Sequence, residues 1–360
     1  MRITLVTEAF YPAVDGTTTT VKAVADRLVD TGHEVSIVAP GPGLGIYRRS
    51  RVARISGLDR STSRLREVLT HLAPDLVHAT SPGVVGRKAL KAARQLGIPT
   101  VVVEQSPVLD LAADYWRAKV ADRADALLVT APWMLDRAAD LGAGAGLWTP
   151  GVDTDAFTPR LRDPWLHASW SRARSRSGQG RVQEVVVGFV GSLEARHGVR
   201  RLAELASVPG IRPVVIGDGS MRRWLASRLP KAKLTGELQT GDLTVALASL
   251  DLLVHPGEHE TCCHALREAA ASGTPVVAPR SGGAPHVVRN LESGLLYDPA
   301  DQHALRRAVS AAAADPRRAL LGLRGRELAL ARDWRTAVDE LVSDHYVPLV
   351  GAAHRSPAPA

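Results

Sequence analysis

The chain has 360 residues, more than one hydrophobic core usually serves, so two domains are expected. Hydrophobic residues make up 45% and charged residues 23%, mean hydropathy is −0.03, and no apolar run reaches the roughly eighteen residues of a membrane-spanning helix. Cys262 and Cys263 are sequence neighbours, which excludes an ordinary disulfide, a four-cysteine metal site and a disulfide-stapled secreted fold, and fits a reducing cytoplasm.

Net charge is +8, and 39 of the 45 basic residues are arginine. Two readings of that excess stay open: attraction to phosphates, or a composition inherited from an arginine- and alanine-rich genome. Residues 1–8 (MRITLVTE) read as a buried strand, because their apolar stretch is too short for a signal peptide. Further strands are expected at 34–39, 75–80, 100–104, 126–130 and 147–149, with helices at 21–30, 87–96 and 133–141 between them. These strands are unbroken Val/Leu/Ile runs, the pattern of a parallel sheet covered on both faces.

From 159 to 181 the chain is rich in Arg, Ser and Gly, and 171–181 (SRARSRSGQGR) has no apolar period, so a linker is expected there. The alternation then restarts with strands at 185–191, 213–217, 233–235, 251–255, 275–278 and 294–297. The expected fold class is α/β, with two Rossmann-like doubly wound domains facing across a cleft. Ligands in such sheets sit beyond the carboxyl ends of the strands. The expected divisions are 1–158, the linker 159–181, 182–333, a helix at 334–350 returning to the N-terminal domain, and a disordered tail at 351–360.

The richest stretch is 251–283. A strand ends at Pro256-Gly257, Glu258-His259-Glu260-Thr261 follow, and a helix is expected from about Cys262 to Ala271, stopping at Ser272-Gly273. A helix start exposes unpaired N–H groups and suits an anion such as a diphosphate. Eight helical positions turn about 800°, so Glu260 and Glu268 are expected to point the same way. One could hold sugar hydroxyls and the other a ribose diol; the bland alternative is a helix-start acid and a solvated glutamate. Gly191 with Ser192, the turn Gly217-Asp218-Gly219, and Ser281-Gly282-Gly283 add glycine-bearing strand ends, each weak alone.

The run from Glu260 to Glu268 (ETCCHALRE), followed by AAASGTPVVAP and SGG, resembles the signature of the GT-B glycosyltransferases of family 4. HPGEHET and VVIGDGSMRRWL are similar to that family's GDP-mannose-dependent α-mannosyltransferase branch. TEAFYPAVDG, TSPGVVG, GVD and GFVGSLEARHG have counterparts in the same order, so the resemblance spans residues 1 to about 349. It implies a retaining, metal-independent, cytoplasmic hexosyltransferase with no cofactor, whose co-substrate is a nucleotide-diphosphate sugar, GDP-mannose or another hexose donor. It also implies an N-terminal acceptor-binding domain and a C-terminal donor-binding domain.

Position by position, the resemblance puts Glu260 near the donor's anomeric carbon and gives the amides of Thr261, Cys262 and Cys263 the diphosphate or sugar. Glu268 takes the ribose hydroxyls, Gly16 approaches the donor phosphate from the loop after the first strand, and Asp218 and Gly219 shape the base pocket. Three departures stand out. The family's arginine after Gly191 is Ser192, its lysine is His197 with Arg196 one place earlier, and its acceptor-side acid falls on Pro107. A second reading therefore keeps the fold without the reaction, as a binding or partner subunit; a third keeps the reaction with an unusual donor.

Two features have plainer readings beside their sharper ones. Cys262 and Cys263 are read as small buried residues rather than reactive thiols. Arg48, Arg49, Arg51, Arg54, Arg60, Arg64 and Arg66, with Asp59 the one acid counted against them, are either a solvated loop or a site for an anionic headgroup at the inner membrane face. The expected acceptor is a small or lipid-linked molecule. Nucleic acid is not expected, for want of an aromatic platform or a DNA-reading helix.

Overall fold

The computed structural model describes residues 1–13, 15–56, 60–108, 110–172 and 183–355. The chain divides into two compact units, Met1–Pro150 with Trp334–Ala360, and Gly151–Asp333.

Among the described residues, the first unit carries an eight-stranded sheet: β1 (Arg2–Val6), β2 (Glu34–Pro40), β3 (Ile46–Tyr47), β4 (Ser50–Ile55), β5 (Leu76–Thr80), β6 (Thr100–Glu104), β7 (Ala126–Val129) and β8 (Gly146–Leu147). Its order is β3-β4-β2-β1-β5-β6-β7-β8, parallel except for β3 against β4. Successive side chains of a strand alternate in face, and both faces are apolar here. Leu5, Ile37 and Val101 enter one core cluster, and Val6, Val38 and Val102 the other. The order reverses between β1 and β5, the switch point beside which such sheets take ligands.

The helix Gly16–Asp30 begins earlier than its apolar period suggests. Asp15 caps it, its Oδ1 accepting from the Thr18 amide at 2.8 Å, so four consecutive threonines are carried into a helix they do not favour. Gly16 is therefore the first residue of a helix and not part of a loop.

The last helical stretch completes this unit. Trp334–Leu341 runs through a π-helical turn, Val342–Tyr346, into Val347–Arg355. Trp148 Nε1 donates to the Ala337 carbonyl at 2.7 Å, and His78 Nδ1 lies 2.5 Å from the Tyr346 hydroxyl. Residues 351–355, expected within a disordered tail, are helical because they prolong this packed segment; 356–360 lie outside the described residues.

The second unit holds, among the described residues, a six-stranded parallel sheet in the order β11-β10-β9-β12-β13-β14. The strands are β9 (Val185–Val190), β10 (Ile211–Ile216), β11 (Lys233–Gly236), β12 (Leu252–Val254), β13 (Val276–Pro279) and β14 (Gly294–Tyr297). Val186 and Val214 pack on one face, Val187 and Val215 on the other.

Residues 159–171 are part of this unit rather than a linker. A 3-10 turn, Pro159–Leu161, leads to the helix Pro164–Ser171, capped by Asp163. The Arg162 guanidinium donates to the carbonyls of Ala248 at 3.2 Å and Leu250 at 2.8 Å and to Asp251 at 2.8 Å, and Trp170 enters the core. These polar anchors leave no apolar period for a sequence to show. The rest of the expected linker, 173–181, lies outside the described residues.

Candidate active site

The richest chemistry gathers at the carboxyl ends of β9, β10, β12 and β13 in the second unit. β12 ends at Val254, and residues 255–263 form a loop before the helix His264–Ala271. The helix starts later than expected because Cys263 adopts a left-handed conformation, φ 53°, and breaks the helical run. The angular argument for Glu260 and Glu268 therefore does not apply: Glu260 lies in the loop, Glu268 in the helix. Thr261, Cys262 and Cys263 precede the helix, whose first free amides begin at His264.

Three close approaches hold this loop. Gly283 N donates to the Glu260 carbonyl at 2.7 Å, and a Cβ at Gly283 would stand 2.9 Å from Cys263 Sγ. Gly282, at φ 59°, would meet the Glu258 carbonyl at 2.6 Å. Gly198, at φ 69°, would meet the Pro256 carbonyl at 2.4 Å, so the loop after β9 packs directly against the loop after β12. Only glycine fits these backbone contacts.

Glu260 is the electrostatic centre. Its Oε1 lies 3.0 Å from His197 Nδ1 and 3.8 Å from His255 Nε2. Burial pushes its pKa up, but the imidazoles of His255, His197 and His264 outweigh that and hold it at about 2, so it is a carboxylate across the physiological range. Arg196 Nε donates to His197 Nε2 at 3.2 Å. Arg196, His197 and Glu260 thus form one hydrogen-bonded chain.

Glu268 is different. Burial raises its pKa to about 7, and among the described residues nothing donates a hydrogen bond to its carboxyl. Arg267, one residue earlier, donates from Nε to the Cys262 carbonyl at 3.0 Å, and burial lowers its pKa. Arg267 and His255 carry charge or hydrogen bonds at this site without being singled out by sequence reasoning. The signal for both was present, inside HPGEHET and ETCCHALRE, but the glutamates drew the attention.

The strand ends of β9 and β10 meet through glycines: a Cβ at Gly217 would lie 2.0 Å from the Gly191 carbonyl. Asp218 accepts from its neighbour Gly219 N at 2.8 Å and from Arg222 at 2.9 Å, and Glu194 accepts from Ser220 N at 2.9 Å and its hydroxyl at 2.7 Å. Ser192 is exposed and brings no charge to the end of β9. Gly16 belongs to the other unit. Cys263 is buried and its thiol is held protonated by burial, first, and by the Glu260 charge.

The arginine cluster of the first unit is largely spent internally. Arg48 pairs with Asp26 and Asp30, Arg64 with Glu67, and Arg51 meets His71, while Arg54 donates to the carbonyls of Leu44, Pro40 and Tyr11. Asp26 and Asp30 come from elsewhere in the sequence, so a count of neighbours misses them, and Glu67 stands just past the counted stretch; Asp59 lies outside the described residues. Arg49, Arg60 and Arg66 make no ion pair among the described residues.

Known proteins settle the family. The profile of a family described as "Glycosyltransferase Family 4" matches residues 14–156, and that of "Glycosyl transferases group 1" matches 172–327. A GDP-mannose-dependent alpha-mannosyltransferase of Mycolicibacterium smegmatis is 38% identical over 98% of this chain and 98% of its own. The chain belongs to glycosyltransferase family 4. The similarly described protein of Mycobacterium tuberculosis is 34% identical, over 98% of this chain and 97% of its own.

Among solved structures, sucrose-phosphate synthase from Thermosynechococcus elongatus superposes with a TM-score of 0.81 at 20% identity, covering 98% of this chain and 99% of that one. Anabaena HepE in complex with UDP-glucose gives 0.78 at 18% identity, covering 96% and 100%. The fold is GT-B. As a member of this family the chain is a glycosyltransferase that moves a sugar from a nucleotide sugar, its co-substrate. Among the described residues no helix is long and apolar enough to cross a membrane.

Proposed function

We propose that this enzyme is a retaining hexosyltransferase that takes mannose from GDP-mannose and delivers it to an acceptor hydroxyl with the α configuration kept. The observation that carries this is the 38% identity, across 98% of both chains, with a protein described as a GDP-mannose-dependent alpha-mannosyltransferase. The intact chain Glu260–His197–Arg196 supports an active enzyme over a binding or partner subunit, because a protein without the reaction has no need of a desolvated, ionised carboxylate.

In this reading Glu260 faces the donor sugar and its ring hydroxyls. The amides at the start of His264–Ala271, with those of Thr261, Cys262 and Cys263, receive the diphosphate, and Arg196 and Arg267 offset its charge. Glu268, with unoccupied acceptor oxygens, takes the ribose hydroxyls, while Asp218 and Gly219 border the base beyond Gly191 and Ser192. As the C1–O bond lengthens, positive charge grows on the sugar ring and negative charge on the departing phosphate. A phosphate oxygen then accepts the acceptor's hydroxyl proton on the face the leaving group vacates, which keeps the configuration.

The acceptor is proposed to be a small or lipid-linked molecule. Arg49, Arg60 and Arg66 are the members of the basic cluster left to meet an anionic surface at the inner membrane face of the cytoplasm. Calorimetry with GDP, UDP and ADP tests the donor assignment. GDP is expected to bind at least tenfold more tightly than UDP or ADP; a preference for UDP or ADP contradicts it, and no binding of any of the three contradicts the donor site itself.

A further inference from the structure

The carboxyl ends of β10 and β11 meet at a corner built from glycine. Gly217 N donates to the Gly236 carbonyl at 2.8 Å, and a Cβ at Gly236, where φ is 80°, would meet only Nη1 of Arg222, at 3.6 Å. The Arg222 guanidinium therefore lies beside bare backbone at the end of β11. One contact fixes it there: Nη1 donates to Asp218 Oδ2 at 2.9 Å, while Asp218 Oδ1 accepts from the Gly219 amide at 2.8 Å. The pair is open to solvent, its side chains 37% and 49% exposed, and contributes little to stability. It leaves the other edge of the guanidinium unused. Among the described residues neither Nε nor Nη2 of Arg222 has a hydrogen-bond partner. Those two N–H groups point the same way, as a fork of parallel donors. Elsewhere in the chain the same edge clasps a planar acceptor: Arg27 holds Asp339 through Nε at 2.7 Å and Nη2 at 2.5 Å.

We propose that Arg222 reads the donor's base as guanine, with Nε donating to one and Nη2 to the other of its N7 and O6 acceptors. Guanine presents those two acceptors side by side on one edge. Adenine replaces O6 with an amino group, which sets a donor against a donor, and uracil offers O4 alone. Asp218 is then a positioning residue: by holding Nη1 it turns the free fork toward the base. The inference rests on the placing of the base beside Asp218 and Gly219 proposed above.

Charged groups on the neighbouring loop are committed elsewhere. Glu194 accepts from the Ser220 amide at 2.9 Å and from its hydroxyl at 2.7 Å, and Arg196 donates to His197 at 3.2 Å. Arg222 thus brings to this corner a cation that is already oriented and still has two donors to give. A bidentate pair of this kind discriminates between bases by about tenfold to a hundredfold. A lysine at 222 would keep the positive charge beside Asp218 but has no planar fork, so it separates reading of the base from charge.

The test is calorimetry of GDP, 7-deaza-GDP, UDP and ADP binding to the full chain and to Arg222→Lys. 7-Deaza-GDP keeps O6 but has a carbon in place of N7. The wild type is expected to bind it about tenfold more weakly than GDP. Arg222→Lys should lose about tenfold or more for GDP, bind UDP as the wild type does, and no longer distinguish GDP from 7-deaza-GDP. A wild type that binds GDP and 7-deaza-GDP equally, while still preferring GDP to UDP and ADP, overturns the inference and leaves the GDP assignment standing. An equal loss for all four nucleotides in Arg222→Lys also overturns it, since that marks a structural role. A wild type that prefers UDP or ADP, or that is folded and binds none of the four, overturns the donor assignment and the inference with it.

Discussion

A Cβ added at Gly283 would stand 2.9 Å from Cys263 Sγ, while the Gly283 amide reaches the Glu260 carbonyl at 2.7 Å. The glycine turn after β13 and the loop after β12 are thus fitted to each other through backbone and one small thiol. Gly283→Ala is expected to push residues 260–263 out of place and cut kcat/KM for the donor by more than tenfold. Gly241→Ala, where an added Cβ meets nothing within 4 Å, should leave it unchanged. Steady-state kinetics of both variants checks the contrast.

Cys263 holds a left-handed backbone, φ 53°, which costs a non-glycine residue about 1 kcal/mol. Cys263→Ala keeps that strain and loses a buried sulfur, so it should destabilise by about 1–2 kcal/mol. Cys263→Gly loses the same sulfur but relieves the strain, and should be at least as stable as the alanine variant. Urea denaturation gives the order. In the native protein Cys263 should also resist alkylation, since burial holds its thiol protonated.

Glu268 has a pKa raised by burial to about 7, above the ordinary 4.5. Below pH 4.5 it is protonated folded or unfolded and costs nothing. As pH rises toward 7 the unfolded chain releases the proton and the folded one keeps it, so stability is lost through that window. Glu268→Gln should therefore raise Tm at pH 8 and leave it unchanged at pH 4, while weakening donor binding above pH 7. Thermal melts at the two pH values, paired with GDP titrations, test both halves.

Asp251 runs the opposite way. Burial opposes its charge, but the Val186 amide at 2.9 Å, His167 at 2.9 Å and Arg162 at 2.8 Å lower its pKa below the usual value. Its contribution is present above the unfolded carboxylate's pKa and is lost as pH falls through the folded value. Asp251→Asn should cost about 3 kcal/mol at pH 7, since it strips a largely buried cluster of its charge. The difference from wild type should shrink under acid, as read by denaturant midpoints.

The two α/β units and most of their strands were legible because unbroken Val/Leu/Ile runs have few other uses; β3 and β4, in the arginine-rich stretch, were not. Elements held by polar anchors were not. Pro164–Ser171 is tied down by Arg162 and Asp163, and Gly16–Asp30 starts at Asp15 through four threonines. The glutamate pair was legible as chemistry through its resemblance to a family, but its geometry was not, because Cys263 interrupts the helix that spacing assumed. His255 and Arg267 went unremarked since their roles depend on contacts with backbone several residues away. The arginine cluster misled in part for the same reason: Asp26 and Asp30, the partners of Arg48, come from another element, while Glu67 lies one residue beyond the counted stretch.

The central claim is transfer from GDP-mannose with the anomeric configuration kept. The most direct measurement is proton NMR of the purified enzyme with GDP-mannose and a panel of hydroxyl acceptors, following the anomeric signal alongside GDP release. The account predicts GDP and a product with the α configuration, both lost in Glu260→Gln. A β product contradicts the retaining mechanism, and GDP release that persists unchanged in Glu260→Gln contradicts the placing of Glu260 at the reacting sugar.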